Sequence, residues 1–292
     1  MRFRFVADSL RKADLVFVNL ESPLTDQGGV TEHPKVNLIF CGPPAGAWSL
    51  RQAGIDVVST ANNHAFDFGI RALRETIANL ELTGIAWTGT SVDSVSLFAP
   101  AVVAVRGVRI AFVAFTEFVN LKGRWSEHIA LFDSLSAEAA LRAARARADI
   151  VVASYHGGGE YGDRPSRRSL AHLRWLAQAG ADVVLGHHPH VPQGIERVGE
   201  TWIVHSLGNF VFAQPQRYWT QIGLAARITV RRTAGRPRIS ALSLIPLQAG
   251  LQPRWDVSPS AKDSLVARLE KGSSLQFRRS QGIIHVSSDS AP

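Results

Sequence analysis

Three histidines fall within four positions at the end of an apolar segment, in the run Gly186-His187-His188-Pro189-His190. Neutral imidazole is the commonest metal ligand among protein side chains. Residues two apart lie on the same side of an extended chain, so a strand that continued past Leu185 would direct the rings of His188 and His190 to one side. This spacing predicts a pair of metal ligands, with His187 replacing His188 if the turn differs. A polar turn with solvated histidines is the alternative.

Polar side chains also follow four other apolar segments. They are Glu21, Asn63-His64, His156 and the segment His205 to Asn209. Taken singly, such residues are typical of turns and caps. In open α/β sheets, however, sites form outside the carboxyl ends of the strands, so we expect these segments to converge. Histidine, asparagine and glutamate without cysteine form a nitrogen and oxygen ligand set that suits zinc, manganese or iron.

The composition limits the classes of protein to which the chain can belong. The one cysteine, Cys41, excludes an intramolecular disulfide framework and a cysteine-rich zinc site. The formal charge of +8 comes mostly from arginine. Such a charge suits an acidic polymer or a phosphate ester, although scattered arginines are more typical of a solvated surface. No nucleic-acid recognition motif is present, so no nucleic-acid partner is expected.

The apolar periodicity predicts an α/β protein with one main domain, residues 1–250, followed by a C-terminal helix and a disordered tail in residues 251–292. A terminal hairpin is predicted between residues 222 and 247, with its turn at Ala234-Gly235, and fraying is expected after Ile284. Strands are predicted at residues 14–21, 55–60, 85–88, 101–105, 108–115, 150–155 and 202–204, and from residue 183 onward. Helices are predicted at residues 5–12, 43–53, 69–82, 137–148, 166–178 and 260–270.

Five sequence motifs at or after these predicted strands together resemble the motifs of one family. The resemblance covers roughly residues 5–250, with the motifs in matching order. The motifs are Asn19-Leu20-Glu21-Ser22-Pro23, Ala61-Asn62-Asn63-His64 with Asp67 and Gly69, His156-Gly157-Gly158 with Glu160-Tyr161, Gly186 to Val191 with Gln193, and Ser206-Leu207-Gly208-Asn209-Phe210. They resemble the bacterial capsule-synthesis CapA family of poly-gamma-glutamate biosynthesis. The resemblance implies a calcineurin-like metallophosphatase sandwich of mixed β-sheets flanked by helices, in α-β-β-α layers.

The resemblance also implies roles for individual residues. His64 would be the catalytic histidine, and Asp67 would orient it. A metal centre of one or two divalent ions, manganese, iron or zinc, would be held by five further residues. These expected metal ligands are Glu21, Asn63, His156, His188 and His190. His205 would either touch the site or pack beneath it.

One feature departs from the family pattern. Members are expected to begin with a strand that ends in Gly-Asp, whose aspartate is a metal ligand, and Asp8 lies in a predicted helix instead. We therefore expect the N-terminal strand to be missing, as a truncated gene model or a late start codon would cause. No apolar run approaches the ~20 residues of a membrane span, so the chain as given is expected to be soluble and cytoplasmic. A longer native chain would instead be membrane-anchored or extracytoplasmic.

Two functional hypotheses follow. In the first, the chain is a metal-dependent hydrolase-like protein of capsule biosynthesis that acts on a phosphoester or an amide-type linkage of an acidic polymer. In the second, it is a non-catalytic scaffold that binds a polyanion in a capsule-synthesis membrane complex, with contacts from the arginines of the predicted hairpin.

Overall fold

The computed structural model of the chain describes residues 2–27, 38–120, 126–232 and 235–287. The chain forms two compact units. The N-terminal unit is Ala7–His156, and the C-terminal unit is Gly157–Pro292 together with Met1–Val6. Both units combine β-sheets with helices, as expected of an α/β protein. In the described part of the chain, no helix has the length and apolar character needed to cross a membrane.

In the N-terminal unit, short strands alternate with helices before a longer hairpin. The elements are α1 (Ala7–Leu10), β1 (Phe17–Asn19), α2 (Ala45–Ala53), β2 (Val57–Ser59), α3 (Gly69–Thr83), β3 (Ala86–Thr88), β4 (Ala101–Val105), β5 (Val108–Thr116), α4 (Ser134–Arg147) and β6 (Ile150–His156). The sequence predicted each of these, with differences only at the ends.

Helix α3 shows why the local sequence forms these elements. Its buried residues include Leu73, Ile77 and Leu80, a helical spacing that places them on one face. The helix ends at Gly84, which adopts φ 68° and donates its backbone N–H to the carbonyls of the last turn. Glycine adopts this left-handed conformation at little cost in free energy, so Gly84 specifies where α3 ends and where β3 can begin.

Two groups of strands in this unit bring polar strand ends side by side. Strands β1, β2 and β3 are parallel, and the register aligns Asn19 with Ser59 and Ser59 with Thr88. Strands β4 and β5 form the predicted hairpin, and β5 pairs in parallel with β6 so that Thr116 lies opposite His156. Because parallel strands end at a common edge, the loops after β1 and β2 start next to each other, as do those after β5 and β6.

The loop after β3 packs unusually closely against the loop after β2. Gly89 has φ 97°, and a Cβ added there would lie 2.5 Å from the Cβ of Ala61 and 2.9 Å from its backbone nitrogen. The same added Cβ would lie 3.0 Å from the Cβ of Ala114 on β5. Ala61 directly precedes Asn62, Asn63 and His64. The backbone that carries the predicted site residues is therefore packed against a position at which only glycine fits.

The C-terminal unit begins with a helix and ends with a small antiparallel sheet. Its elements are α5 (Arg167–Gln178), β7 (Val183–His187), β8 (Ile195–Val198), β9 (Thr201–Val204), a 3₁₀ turn (Trp219–Gln221), β10 (Ile222–Arg231), β11 (Arg238–Gln248), α6 (Pro259–Lys271), β12 (Gln276–Ser280) and β13 (Ile283–Ser287). Strand β7 pairs in parallel with β9, and β8 pairs antiparallel with β9. The sequence did not predict β8.

The small antiparallel sheet corrects part of the sequence analysis. Its strand order is β10-β11-β13-β12, which confirms the hairpin, although Ala234 of the predicted turn lies outside the described residues. Fraying was expected after Ile284, but residues 283–287 form β13, in which Ile284 pairs with Leu244 and is fully buried. The expectation of a disordered tail is wrong for these residues, and residues 288–292 lie outside those described. The domain boundary at residue 250 stays a prediction.

The substitution Gly89→Ala is expected to lower the free energy of unfolding by about 3 kcal/mol, the sum of left-handed strain and overpacking against Ala61. Gly84→Ala is the matched control, because Gly84 is also left-handed but has no heavy atom within 4 Å of an added Cβ. It should cost only about 1 kcal/mol. Urea unfolding followed by circular dichroism measures both values, and equal costs would contradict the close packing.

Candidate metal centre and histidine pair

In the N-terminal unit, three of the expected metal ligands lie together. The Nε2 atom of His156 is 2.7 Å from Oδ1 of Asn63 and 3.4 Å from Oε1 of Glu21. His156 is fully buried at the end of β6, Asn63 is buried after β2, and Glu21 is half-buried after β1. Three separate strands of the unit thus contribute one oxygen or nitrogen donor each.

Asn62 fixes the loop that presents Asn63 and His64. Its Nδ2 group donates to the carbonyl of Leu20 at 2.8 Å, and its Oδ1 accepts from the backbone N–H of His64 at 3.1 Å. The side chain is fully buried, so these bonds satisfy groups that would be costly to leave unpaired. Asn62 therefore joins the loops after β1 and β2, and its neighbour Asn63 is left to face His156.

His64 and Asp67 form a buried pair beside this cluster. The Nδ1 atom of His64 is 2.6 Å from Oδ2 of Asp67, which also accepts the backbone N–H of Phe40 at 2.7 Å. The Phe40 ring packs on the imidazole with centroids 4.1 Å apart. Since a carboxylate only accepts hydrogen bonds, His64 carries a proton on Nδ1. Asp67 therefore orients His64, the contact that the resemblance implied.

Asn120 is a neighbour of His64 that the sequence analysis missed. Its Nδ2 lies 3.4 Å from Nε2 of His64, and its backbone N–H donates to the carbonyl of Asn63 at 3.1 Å. Asn120 follows β5, whose carboxyl end lies beside that of β6. A polar residue after a strand was the available signal, but no further pattern in the sequence distinguished it from an ordinary turn residue.

In the C-terminal unit, the histidine pair is not presented by an extended strand. Strand β7 ends at His187, and His188 and His190 adopt φ 95° and φ 59°, in the left-handed region. The condition for placing the two rings by strand alternation, an extended backbone through these positions, is therefore not met. Their ring centroids still lie 5.7 Å apart, and both side chains are buried. The tight turn around Pro189, rather than strand alternation, brings the two imidazoles near each other.

His205 packs beneath the surface of the same unit. Its Nε2 lies 3.4 Å from Oε2 of Glu196, a carboxylate that also pairs with Nε of Arg174 at 2.8 Å. Burial lowers the pKa of His205 below its ordinary 6.5, although the charge of Glu196 and the hydrogen bond to it raise it. His205 is therefore a packed histidine held by Glu196, and its burial favours the neutral ring.

The donors around His156 fit a divalent cation. Carboxylate, amide oxygen and imidazole are ligands for zinc, manganese or iron. For metal bonds of about 2.1 Å, two ligands of a tetrahedral ion lie roughly 3.4 Å apart. The Glu21 and His156 atoms are separated by 3.4 Å, and Asn63 needs to move only slightly from 2.7 Å. The three side chains could hold one ion without rearranging the strands.

Comparison with known proteins gives the family of the chain. The model of the family described as bacterial capsule synthesis protein PGA_cap matches residues 2–214. The chain belongs to this family. The resemblance that the motifs indicated is thereby confirmed, and the match includes all seven expected site residues.

Two relatives of this PGA_cap chain are capsule proteins. The chain is 30% identical over 270 residues to the PGA biosynthesis protein CapA of Bacillus subtilis, covering 88% of this chain and 64% of the relative. It is 30% identical over 228 residues to the capsule biosynthesis protein CapA of Bacillus anthracis, covering 75% and 54%. The PGA_cap chain thus spans between about half and two thirds of the length of these relatives.

A solved structure supports the fold of this PGA_cap chain. A candidate 5'-nucleotidase from Staphylococcus aureus, determined in complex with alpha-ketoglutarate, superposes with a TM-score of 0.51 at 15% identity. The match covers 77% of this chain and 44% of that one. At this identity the likeness concerns the fold alone. The predicted class, a calcineurin-like metallophosphatase fold with several sheets flanked by helices, is confirmed.

The lowered pKa of His205 predicts how stability depends on pH. The unfolded chain takes up a proton at this histidine at higher pH than the native protein, so the group contributes stability above about pH 6.5 that is lost as the pH falls. The free energy of unfolding of His205→Gln should therefore fall less between about pH 7 and pH 5 than that of the wild type. His285→Gln, which alters an exposed histidine of the same unit, controls for the general effect of replacing a histidine by glutamine. Equal slopes for all three proteins in urea unfolding would contradict the assignment.

Proposed function

We propose that this chain is a metal-dependent, hydrolase-like protein of capsule or poly-gamma-glutamate biosynthesis. The observation that carries the proposal is the cluster in the N-terminal unit, where Nε2 of His156 lies 2.7 Å from Oδ1 of Asn63 and 3.4 Å from Oε1 of Glu21. Placing a half-buried carboxylate beside a buried amide and a buried imidazole is unfavourable unless these groups are hydrogen-bonded or bind an ion. A metal role explains why three strand ends contribute such groups to one place.

In this proposal Glu21, Asn63 and His156 hold a divalent zinc, manganese or iron ion. When bound, such an ion supplies Lewis-acid assistance to hydrolysis by polarising a phosphoryl or carbonyl group. The resemblance also assigns His188 and His190 to the metal ligands and implies as many as two ions. These two assignments stay predictions.

His64 has the properties of a proton carrier. Its Nδ1 proton is held by Asp67, so Nε2 presents a lone pair in the neutral ring and a proton in the charged ring. The carboxylate of Asp67 stabilises the charged form when it arises. We propose that Nε2 of His64 gives its proton to the leaving group, or steadies the developing charge on an oxygen of the substrate.

The proposed substrate class is a phosphoester or an amide-type linkage associated with an acidic polymer. Two lines support it: the relatives are named for capsule and PGA biosynthesis, and the chain carries a formal charge of +8. We propose that the protein acts beside a capsule-synthesis membrane complex that handles this polymer.

A second candidate function is a polyanion-binding scaffold without turnover. One observation favours it. In the small antiparallel sheet, the register aligns Arg227 with Ser243, Ser243 with His285, and His285 with Arg278, so both arginines lie on one face of the sheet. Both arginines are exposed. Polymer binding that weakens steeply with salt but survives loss of His64 would favour the scaffold over the hydrolase.

The metal proposal predicts the behaviour of two ligand variants. His156→Ala and Glu21→Gln should each lower the affinity for Mn²⁺ or Zn²⁺ by at least about 10-fold, because even the loss of groups that only support ligands costs this much. Equilibrium dialysis followed by elemental analysis measures the affinity. His285→Ala, which changes an exposed histidine, serves as the control and should bind like the wild type. A wild-type protein that retains no divalent metal would contradict the proposal.

The role of His64 predicts a separation of binding from turnover. His64→Asn should retain metal but lower the hydrolysis of p-nitrophenyl phosphate or a gamma-glutamyl anilide by about 10²- to 10⁴-fold, the usual contribution of a positioned acid or base. Asp67→Asn should also lower the rate, since the amide cannot stabilise the charged ring equally. Unchanged turnover in His64→Asn would refute the assignment, while intact metal binding would show that the fold is retained.

A further inference from the structure

The C-terminal unit holds one imidazole through a chain of side-chain amides. The Nδ1 atom of His190 lies 2.8 Å from Oδ1 of Asn209. The Nδ2 group of Asn209 lies 3.0 Å from the backbone carbonyl of Thr220 and 3.1 Å from Oε1 of Gln214. His190 and Asn209 are both buried. These contacts determine the position of the proton on the histidine ring.

The carbonyl of Thr220 fixes the orientation of the Asn209 amide. A backbone carbonyl only accepts hydrogen bonds, so the NH₂ group of Asn209 must face it. Rotating the amide by half a turn would direct oxygen at the oxygens of Thr220 and Gln214, and both bonds would be lost. Oδ1 of Asn209 therefore faces His190. This oxygen is also only an acceptor, so the proton of the neutral imidazole must lie on Nδ1.

We infer that Asn209 is a positioning residue that holds His190 as its Nδ1–H tautomer and so keeps the Nε2 lone pair free to bind a divalent cation. The tautomer follows from the hydrogen bonds alone, and only the cation rests on the proposed function. A histidine whose second ring nitrogen donates to an oxygen acceptor has the arrangement common to metal ligands. An anion would not bind at Nε2 of this ring, because it would meet a lone pair.

Aromatic packing keeps the ring in place. Tyr161 and Phe212 stack on His190 with ring centroids at 6.1 Å and 5.4 Å. Gln214 continues the chain, since its Nε2 donates to the hydroxyl of Tyr161 at 3.3 Å. Within residues 2–27, 38–120, 126–232 and 235–287, no group hydrogen-bonds Nε2 of His190. The nitrogen suited to a cation is the one that the protein leaves unused.

The test is the tautomer itself, measured without metal. Long-range ¹H–¹⁵N NMR of histidine-labelled protein distinguishes protonated from unprotonated ring nitrogens, and the His190 signals are assigned by their loss in His190→Gln. The wild type should show the proton on Nδ1. In Asn209→Leu the proton should no longer be confined to Nδ1, whereas Asn209→Asp, which keeps an acceptor facing the ring, should retain it there.

Thr201→Val controls for a merely structural effect. It removes another buried hydrogen bond of the same unit, from the Thr201 hydroxyl to the carbonyl of Ala181, and should leave the His190 signals unchanged. The affinity for Mn²⁺ should fall about 10- to 100-fold in Asn209→Leu and stay unchanged in Thr201→Val.

A wild-type proton on Nε2, or an Asn209→Leu spectrum like that of the wild type, would overturn the assignment of Asn209. An Nδ1 proton in a protein that binds no metal would refute the proposed function while leaving the tautomer assignment intact.

Discussion

The hydrogen bonds of Asn62 are the constraint on which the candidate site depends. This one side chain donates to the carbonyl of Leu20 after β1 and accepts from the backbone N–H of His64 after β2. It is fully buried. Without it, the carbonyl of Leu20 and the buried N–H of His64 would lose these partners beside the donors of the candidate site. Gly89 adds a steric limit from the other side, because it packs against Ala61 at the start of the same loop. The loop is thus held by hydrogen bonds and by close contact, so Asn63 and His64 have little freedom to move.

The histidine turn of the C-terminal unit depends in a similar way on a distant helix. Arg268 of α6 is buried and donates to the carbonyl of Pro192 at 2.7 Å, and its guanidinium pairs with Asp163 at 2.6 Å. The end of α6 also packs so closely on the chain after Pro192 that a Cβ at Gly194 would overlap the backbone of Gly272. The helix that the sequence predicted after the main domain therefore supports the loop that follows His190.

The elements of the fold could be predicted because their signals are local. The spacing of Leu73, Ile77 and Leu80 marks a helix face, and Gly84 marks its end. The left-handed turn at His188 and His190 could not be predicted, since nothing in the residue types requires φ > 0 there. Strand β12 was missed because Gln276–Ser280 is mostly exposed and lacks an apolar alternation. Asn120 and Asn209 were not assigned contacts, because their histidine partners are 56 and 19 residues away and only the folded chain brings them together.

His64 and His190 differ in the oxygen group that accepts the hydrogen bond from Nδ1 of each ring. Both rings are buried and both donate from Nδ1 to an oxygen. For His64 the oxygen belongs to the Asp67 carboxylate, a negatively charged acceptor that suits the proton transfer proposed for this ring. For His190 it belongs to the neutral Asn209 amide, which orients the ring without stabilising a positive charge. A histidine that binds a cation does so through the lone pair of its neutral ring, which the hydrogen bond to Asn209 leaves at Nε2. The aspartate and the asparagine thus fix the same tautomer of the two rings but place different charges beside them.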